Sequence, residues 1–587
     1  MTTTFPVRPS PETPPLPDGA RSTVLRRVRD AILTPRTAIV GICAVIVGYL
    51  AIVPLYYLLW GAFFDEHGFT LKGFGEAFGK NSLAGPMLVN SIEFALGSAI
   101  FALILGAALA WVQVRTDAPL KGLFFAASLV PLIIPAMLYA IAWIFLADPH
   151  TGVINQSLQP VFGAGVFNVF SMPGMIWVQG LHLSPVAFLL MVAAFRAMDP
   201  SLEEAALMSG ASRGAMLRRV TAPLLRPAII AAVLLVFVQS MESFEVPAII
   251  GLQARIYVFT SRIYNVLQIY PIDYREAGAL AVVLLAIAAL AVLLSGWLSR
   301  HGSRYQTITG KGFRPRPIAL GRARPFVGAA VIVYFLVTVV LPVGVLLWAS
   351  LLPFYQAPST KAVRSVTLHN YGTVLHMPLA LTAFRNSMLL GVGAATGVMF
   401  LTAVVAWLVV RTRVPGRRGL DVLASTPLVI PGLVMGLALL FVYLRSPLPV
   451  YGTLWILLIS YATRYLPYGM RYSVTAMAQM NNELEESALV CGASWWQSFR
   501  RILVPLMSSG VLAGWVYILV VSFRELSSTI LLYSPGKEVL SVLLWEQFNN
   551  GNFTVVAAIG VLMVVTLMLL VGIAYRVGLR FGADSDS

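Results

Sequence analysis

Ala110-Trp111-Val112-Gln113-Val114-Arg115-Thr116 returns, with two changes, as Ala406-Trp407-Leu408-Val409-Val410-Arg411-Thr412, 296 residues further along the chain. Working outward, the same offset relates Asn90-Ser91 to Asn386-Ser387, and Pro131 and Pro135 to Pro427 and Pro431. Beyond these the offset becomes 282, pairing Pro185 with Pro467, Gly210 with Gly492, Arg218-Arg219 with Arg500-Arg501, and Pro223 with Pro505. The first half carries the longer segment, near 148–174, which accounts for the change. Matches at two constant offsets make the chain a tandem duplication.

Composition says what is duplicated. Of 587 residues, 58% are hydrophobic and 11% charged, with a mean hydropathy of +0.81. An ordinary soluble domain is about 25% charged, so a water-facing surface of this size cannot be coated. Disorder, collagen and a secreted disulfide scaffold are excluded by the same figures. Roughly 20 apolar residues cross a bilayer as a helix. Twelve such runs are predicted: 38–60, 89–114, 123–147, 175–195, 228–250 and 277–298, then 326–350, 386–410, 420–444, 451–473, 509–532 and 554–576. The expected fold is therefore an all-α polytopic membrane protein with about twelve transmembrane helices. A unit of six spans returns to its starting side, so the two repeats run parallel and are related by a pseudo-two-fold axis along the membrane normal. The expected organisation is a disordered basic cytoplasmic tail (1–37), a first repeat (38–298), a cytoplasmic linker (299–325) and a second repeat (326–580).

Charge sets the orientation. With the N-terminus inside, the inner segments hold 28 of the 41 Lys and Arg residues and the outer loops hold 10. That bias follows the positive-inside rule and places both termini in the cytoplasm. The net charge of +16 is thereby explained without nucleic acid, since no basic stripe with interleaved aromatics occurs. Cys43 and Cys491 lie far apart and Cys43 sits in an apolar run, so neither a disulfide nor a metal-ligand spacing is expected.

The inner loops after the fourth span of each half carry the most specific pattern. The first reads Glu203-Glu204-Ala205-Ala206, then Gly210, Val220 and Pro223. The second reads Glu485-Glu486-Ser487-Ala488, then Gly492, Ile502 and Pro505. Each is a helix-forming stretch, a Gly that permits a φ > 0 turn, and an amphipathic stretch ending in Arg-Arg. This spacing resembles the loop of binding-protein-dependent ABC importer permeases, and the likeness extends over nearly all of residues 85–576. Ser487 replaces the second motif residue, and Ala222 and Val504 stand where Leu is usual. The resemblance implies a type I ABC importer permease fold in a bacterial inner membrane. It also implies that Glu204, Ala205, Ala206, Gly210 and Pro223 contact one copy of an ATPase subunit. Glu486, Ser487, Ala488, Gly492 and Pro505 would contact a second copy.

No G-x-x-x-x-G-K-[ST] phosphate loop occurs, and Gly310-Lys311-Gly312 lacks its spacing. The chain is thus expected to be a transport subunit that binds no cofactor of its own, with ATP used by the partner and a periplasmic binding protein delivering the solute. Charged residues within spans cost about 2.5–3.5 kcal/mol each on insertion scales. Glu93, Glu242, Glu245, Arg464, Arg524 and Glu525 are such residues, and Pro247 suggests a broken helix beside Glu242 and Glu245, which at i, i+3 would share one helix face. Glu242, Glu245, Arg524 and Glu525 either line the translocation path or neutralise one another, Arg524 with a carboxylate. The six histidines form no close cluster, so no metal site is assigned. Among these permeases the fused double form is most similar to ferric-iron permeases. Alternatives are thiamine, polyamine or phosphonate-type solutes, or a secondary transporter without an ATPase.

Overall fold

The computed structural model describes residues 35–583 apart from 66, 80–83, 164, 200, 303–316, 413, 415 and 482. Most of the tail 1–37 and part of the linker 299–325 lie outside the described residues. The described residues are mostly helical, with a short hairpin that pairs Phe64–Asp65 with Gly68–Phe69.

Among the described residues nine helices are long and apolar enough to cross a membrane, and two bent pairs raise that number to eleven. The run expected at 451–473 is the helix Leu454–Ala478. Its 25 residues could span, but Arg464, Arg471 and four tyrosines make it too polar to count on apolarity alone. It packs against Pro378–Arg411 and Val504–Phe523 and stands where Met172–Ala197 stands in the first repeat.

Two expected straight spans are bent. The run at 123–147 divides into Lys121–Leu132 and Ala136–Ala147 at 98°, and that at 420–444 into Arg417–Val429 and Gly432–Leu444 at 108°. Each break falls at a repeated proline pair, where a missing N–H and a fixed φ stop the helix. Pro135 and Pro431 cap the second pieces with the same backbone, φ −54° in both. Those pieces are nearly wholly buried and form the apolar centre of the bundle.

Two other expectations need moving. The spans placed at 228–250 and 509–532 are helices Gly214–Glu242 and Phe499–Phe523. They begin well before the expected prolines because a π turn precedes each proline, at Leu217–Thr221 and Phe499–Leu503. The wider turn takes the chain past Pro223 and Pro505 without breaking the helix, so the Arg-Arg stretch belongs to the span.

The repeats exchange their first spans. Pro35–Phe63 packs on Gly432–Leu444 of the second repeat, with Tyr49 and Tyr443 hydroxyls 2.7 Å apart. Conversely, Tyr334 of the span Gly321–Ser350 meets Ser184 of the first repeat at 2.7 Å. The visible end of the linker is stitched to the first repeat as well, since Ile318 N–H donates to the Arg115 carbonyl at 2.7 Å.

The repeated motifs do the same work twice. Ser91 accepts from the Phe259 N–H at 3.1 Å, and Ser387 from the Leu540 N–H at 2.9 Å. Asn90 donates to the Tyr257 carbonyl and Asn386 to the Glu538 carbonyl. Arg115 caps the Met198 carbonyl at 3.1 Å, and Arg411 the matching Met480 carbonyl at 2.7 Å. Each arginine closes the end of the helix that leads into the inner loop, offsetting unsatisfied carbonyls.

Candidate functional site

The inner loops fold as their sequence requires. Gly210 and Gly492 take φ of +84° and +82°, with no heavy atom near a would-be Cβ at either. The Ala211 N–H returns to the Ala206 carbonyl and the Ala493 N–H to the Ala488 carbonyl, both at 3.0 Å. That six-to-one bond with a left-handed Gly is a Schellman turn closing Ser201–Met208 and Glu483–Val490. Asp199 accepts the Ser201 N–H at 2.9 Å, and this bond holds its carboxyl below the ordinary range at the start of the helix.

The two glutamates of the first loop face opposite ways. Glu203 is buried, 3.7 Å from Arg115 Nε and accepting from Thr221 Oγ1 at 2.7 Å. Glu204 and Ala205 face outward, Ala206 is half-buried, and Pro223 and Pro505 are exposed. In the second loop Glu486, Ser487 and Ala488 lie on Glu483–Val490, and Ser487 Oγ donates back to the Glu483 carbonyl at 2.7 Å. Met208 and Val490 share one repeat position and are 89% and 87% exposed. Two apolar side chains thus stand outward at the same place in both loops.

A second site lies where the fifth span of each repeat ends. The helix expected to carry both Glu242 and Glu245 stops at Glu242, because Ser243 is extended at φ −62°, ψ 127°. The two glutamates therefore sit on either side of a break, not on one helix face, and the break comes four residues before Pro247. The second repeat stops one residue sooner, at Phe523, with Arg524, the counterpart of Glu242, as the C-cap.

Tertiary packing brings these ends together. Ser527 Oγ donates to Glu245 Oε1 at 3.1 Å. Glu525, 6% exposed, accepts from Arg464 Nη1 at 3.1 Å, Tyr465 Oη at 2.8 Å, and the Ser528 N–H at 3.0 Å. Glu242 stands within electrostatic reach of Arg464 and Glu525. Thus Arg464, not Arg524, neutralises the buried carboxylate. The Arg524 guanidinium instead donates to the Leu132 carbonyl, at the break of the first repeat's bent span. A carbonyl freed by that break has no water to turn to, and an arginine from the other repeat supplies the donor.

Room for Arg464 comes from Gly432. A Cβ there would lie 1.3 Å from Arg464 Nη1. At the 282 offset the counterpart of Arg464 is His182, which is 7% exposed and 5.3 Å from the Tyr139 ring. Three carboxyl groups and the Arg464 guanidinium thus gather where the repeats touch, with Arg524 turned to the Leu132 carbonyl beside them. The sequence reading set Arg464 among the costly charges but not in the site, and it missed Ser527, Tyr465 and Gly432. Aligning the halves at 282 pairs Glu245 with Ser527 and would have flagged that one. Among the described residues no group of three or more His, Cys, Asp or Glu could hold a metal ion.

The family of the binding-protein-dependent transport system inner membrane component matches residues 99–306 and again 399–579. The chain belongs to that family. The two matched stretches are the two repeats, so this permease carries both copies of the unit in one polypeptide. It is similar to the ferric transport system permease protein FbpB of Actinobacillus pleuropneumoniae, 23% identical over 528 residues, covering 89% of this chain and 75% of that one. A putative ferric transport system permease protein FbpB 1 of Haemophilus influenzae is 26% identical over 419 residues, 71% of this chain and 65% of its own length. A putative 2-aminoethylphosphonate transport system permease protein PhnV of Salmonella typhimurium is 27% identical over 266 residues, 44% of this permease and 97% of that protein. The last relative has the length of one repeat. This permease is a multi-pass inner-membrane transport subunit.

Proposed function

We propose that this permease forms the translocation path of an ATP-driven importer whose cargo is ferric iron. The acidic cluster across the repeat contact carries the reading. Glu242, Glu245 and Glu525 outnumber Arg464 and Arg524, and hard cations prefer oxygen ligands such as carboxylates. The likeness to ferric permeases over most of the chain supports it. A periplasmic binding protein releases the ion at the outer mouth. Both termini and the linker lie in the cytoplasm, where the loops at 201–223 and 483–505 dock two copies of an ATPase. Glu204, Ala205, Ala206 and Gly210 meet one copy, and Glu486, Ser487, Ala488 and Gly492 the other.

The test is Glu242→Gln with Glu245→Gln, which removes both charges while keeping size and hydrogen-bonding capacity. In proteoliposomes with ATPase and binding protein, the double variant loses iron uptake and keeps stimulated ATP hydrolysis. Loss of both activities together would make the pair structural, and normal uptake would remove it from the path. One observation favours a second cargo class: the cluster also holds two guanidiniums, which suit a phosphonate. The same liposomes offered 2-aminoethylphosphonate separate the two readings.

A further inference from the structure

Below the acidic cluster the second repeat carries a line of phenols. Tyr461, Tyr465, Tyr468 and Tyr472 recur at spacings of four, three and four along Leu454–Ala478, which puts them on one helical stripe. Tyr517, from Val504–Phe523, sits between the lower two. Successive ring centroids are 6.1 Å apart from Tyr461 to Tyr465, 6.4 Å to Tyr468, 5.3 Å to Tyr517, and 5.8 Å on to Tyr472.

The upper two hydroxyls are committed, Tyr461 to Thr529 at 2.9 Å and Tyr465 to Glu525 at 2.8 Å. The lower three bond no described residue, and none of them is a sealed, unpartnered oxygen. Their oxygens are therefore not fully sealed off. They lie beside the charge cluster, since Tyr468 feels Glu242 of the first repeat together with Arg464 and Arg524 of its own, and Tyr517 feels Arg524 and Arg464. At its lower end Tyr472 lines a cavity of about 500 Å³ together with Gln479, Asn481 and Ser509.

Packing alone does not ask for phenols here. The residues at the same positions of the first repeat are Gln179, Leu183, Val186, Leu190 and Leu235. Below Gln179 aliphatic side chains fill that stripe, whereas a hydroxyl carried into a membrane bundle without a partner is a cost. Free phenol oxygens on one side of a path need something to bind.

We propose that Tyr468, Tyr517 and Tyr472 form a phenolic relay that passes a hard trivalent cation from the acidic cluster to the cavity near the inner loops. The proposal rests on the ferric reading above and extends it to the residues that take over the ion. Oxygen donors suit such a cation. A phenol that ligates it gives its proton to water and regains one when the ion moves on. Neighbouring rings are close enough for a hand-over, and single ligands at each step do not trap the cargo.

The experiment uses the purified full chain with ferric nitrilotriacetate as the probe, and then the assembled transporter in liposomes. The wild type shows a visible phenolate-to-iron charge-transfer band and imports iron. Tyr468→Phe with Tyr517→Phe keeps the rings and the melting temperature, loses the band, and drops uptake to the level seen without ATP. Tyr56→Phe, at an exposed site on the first span, changes neither. Should wild type import iron and the double variant import it equally well, the relay is wrong and the ferric reading stands. Uptake lost with the band intact also overturns the relay, because the phenols would then only pack. A wild type that imports no iron overturns both.

Discussion

Ser527 and Glu245 occupy the same position of the two repeats, 282 residues apart, and hydrogen-bond each other at 3.1 Å. Symmetry-related points can touch only on the axis that relates them. The pseudo-two-fold axis therefore passes through this contact, and the cluster around it is the centre of the molecule. Because the two copies differ here, the axis carries an uneven charge set. Glu242 answers to Arg524, Ser243 to Glu525, and Glu245 to Ser527. A site on an axis between the halves is the one place that both halves can open and close.

Gly432→Ala should damage this centre without touching a charged residue. Its Cβ would displace the Arg464 guanidinium and leave Glu525 buried with less than its full set of donors. Breaking a buried pair costs about 3–5 kcal/mol. The expected result is a lower melting temperature and loss of uptake. An unchanged melting curve would show that Arg464 is not held where it is described.

Neighbouring glutamates of the first inner loop should separate stability from coupling. Glu203→Ala leaves Arg115 buried without its carboxylate, at a cost again of about 3–5 kcal/mol. Glu204→Ala alters an exposed side chain and should leave the melting temperature alone while weakening ATPase association. Pull-down of the ATPase, read beside thermal unfolding, checks both. Equal destabilisation by the two changes would contradict the opposite facings of these side chains.

A bulky residue at either loop glycine should uncouple transport. Gly210→Glu or Gly492→Glu forces a non-glycine residue into the left-handed region, at about 1–2 kcal/mol. It also adds an unwanted charge at the docking turn. Each single variant should reach the membrane at normal levels yet fail to transport, since each loop serves one ATPase. Wild-type transport by both would refute the docking assignment.

Cys491 offers a native probe of orientation. It is exposed and sits beside Gly492, while Cys43 is buried in the first span. A membrane-impermeant maleimide should label Cys491 in inverted vesicles and spare it in spheroplasts. Lys361→Cys, between the spans at 326–350 and 386–410 and so on the outer side when the N-terminus is inside, should show the reverse. Bound ATPase should shield Cys491. Labelling of Cys491 from outside would invert the proposed topology.

The sequence alone determined the features that repeat or that local sterics dictate. Two constant offsets gave the duplication, hydropathy gave the spans, and the glycines at 210 and 492 announced left-handed turns that are present at both sites. Local rules went astray where the chain could satisfy itself in more than one way. The proline pairs at 131–135 and 427–431 bent two spans that hydropathy reads as straight, while Pro223 and Pro505 were absorbed by π turns. Which charge meets which was beyond reach. Arg464 and Glu525 lie 61 residues apart, and Arg524 and Leu132 lie 392 apart in different repeats. Hydropathy and spacing report what a residue costs in a bilayer and which helix face it shares. The partner that offsets the cost is chosen by helices meeting across the axis, and only the tertiary structure brings them there.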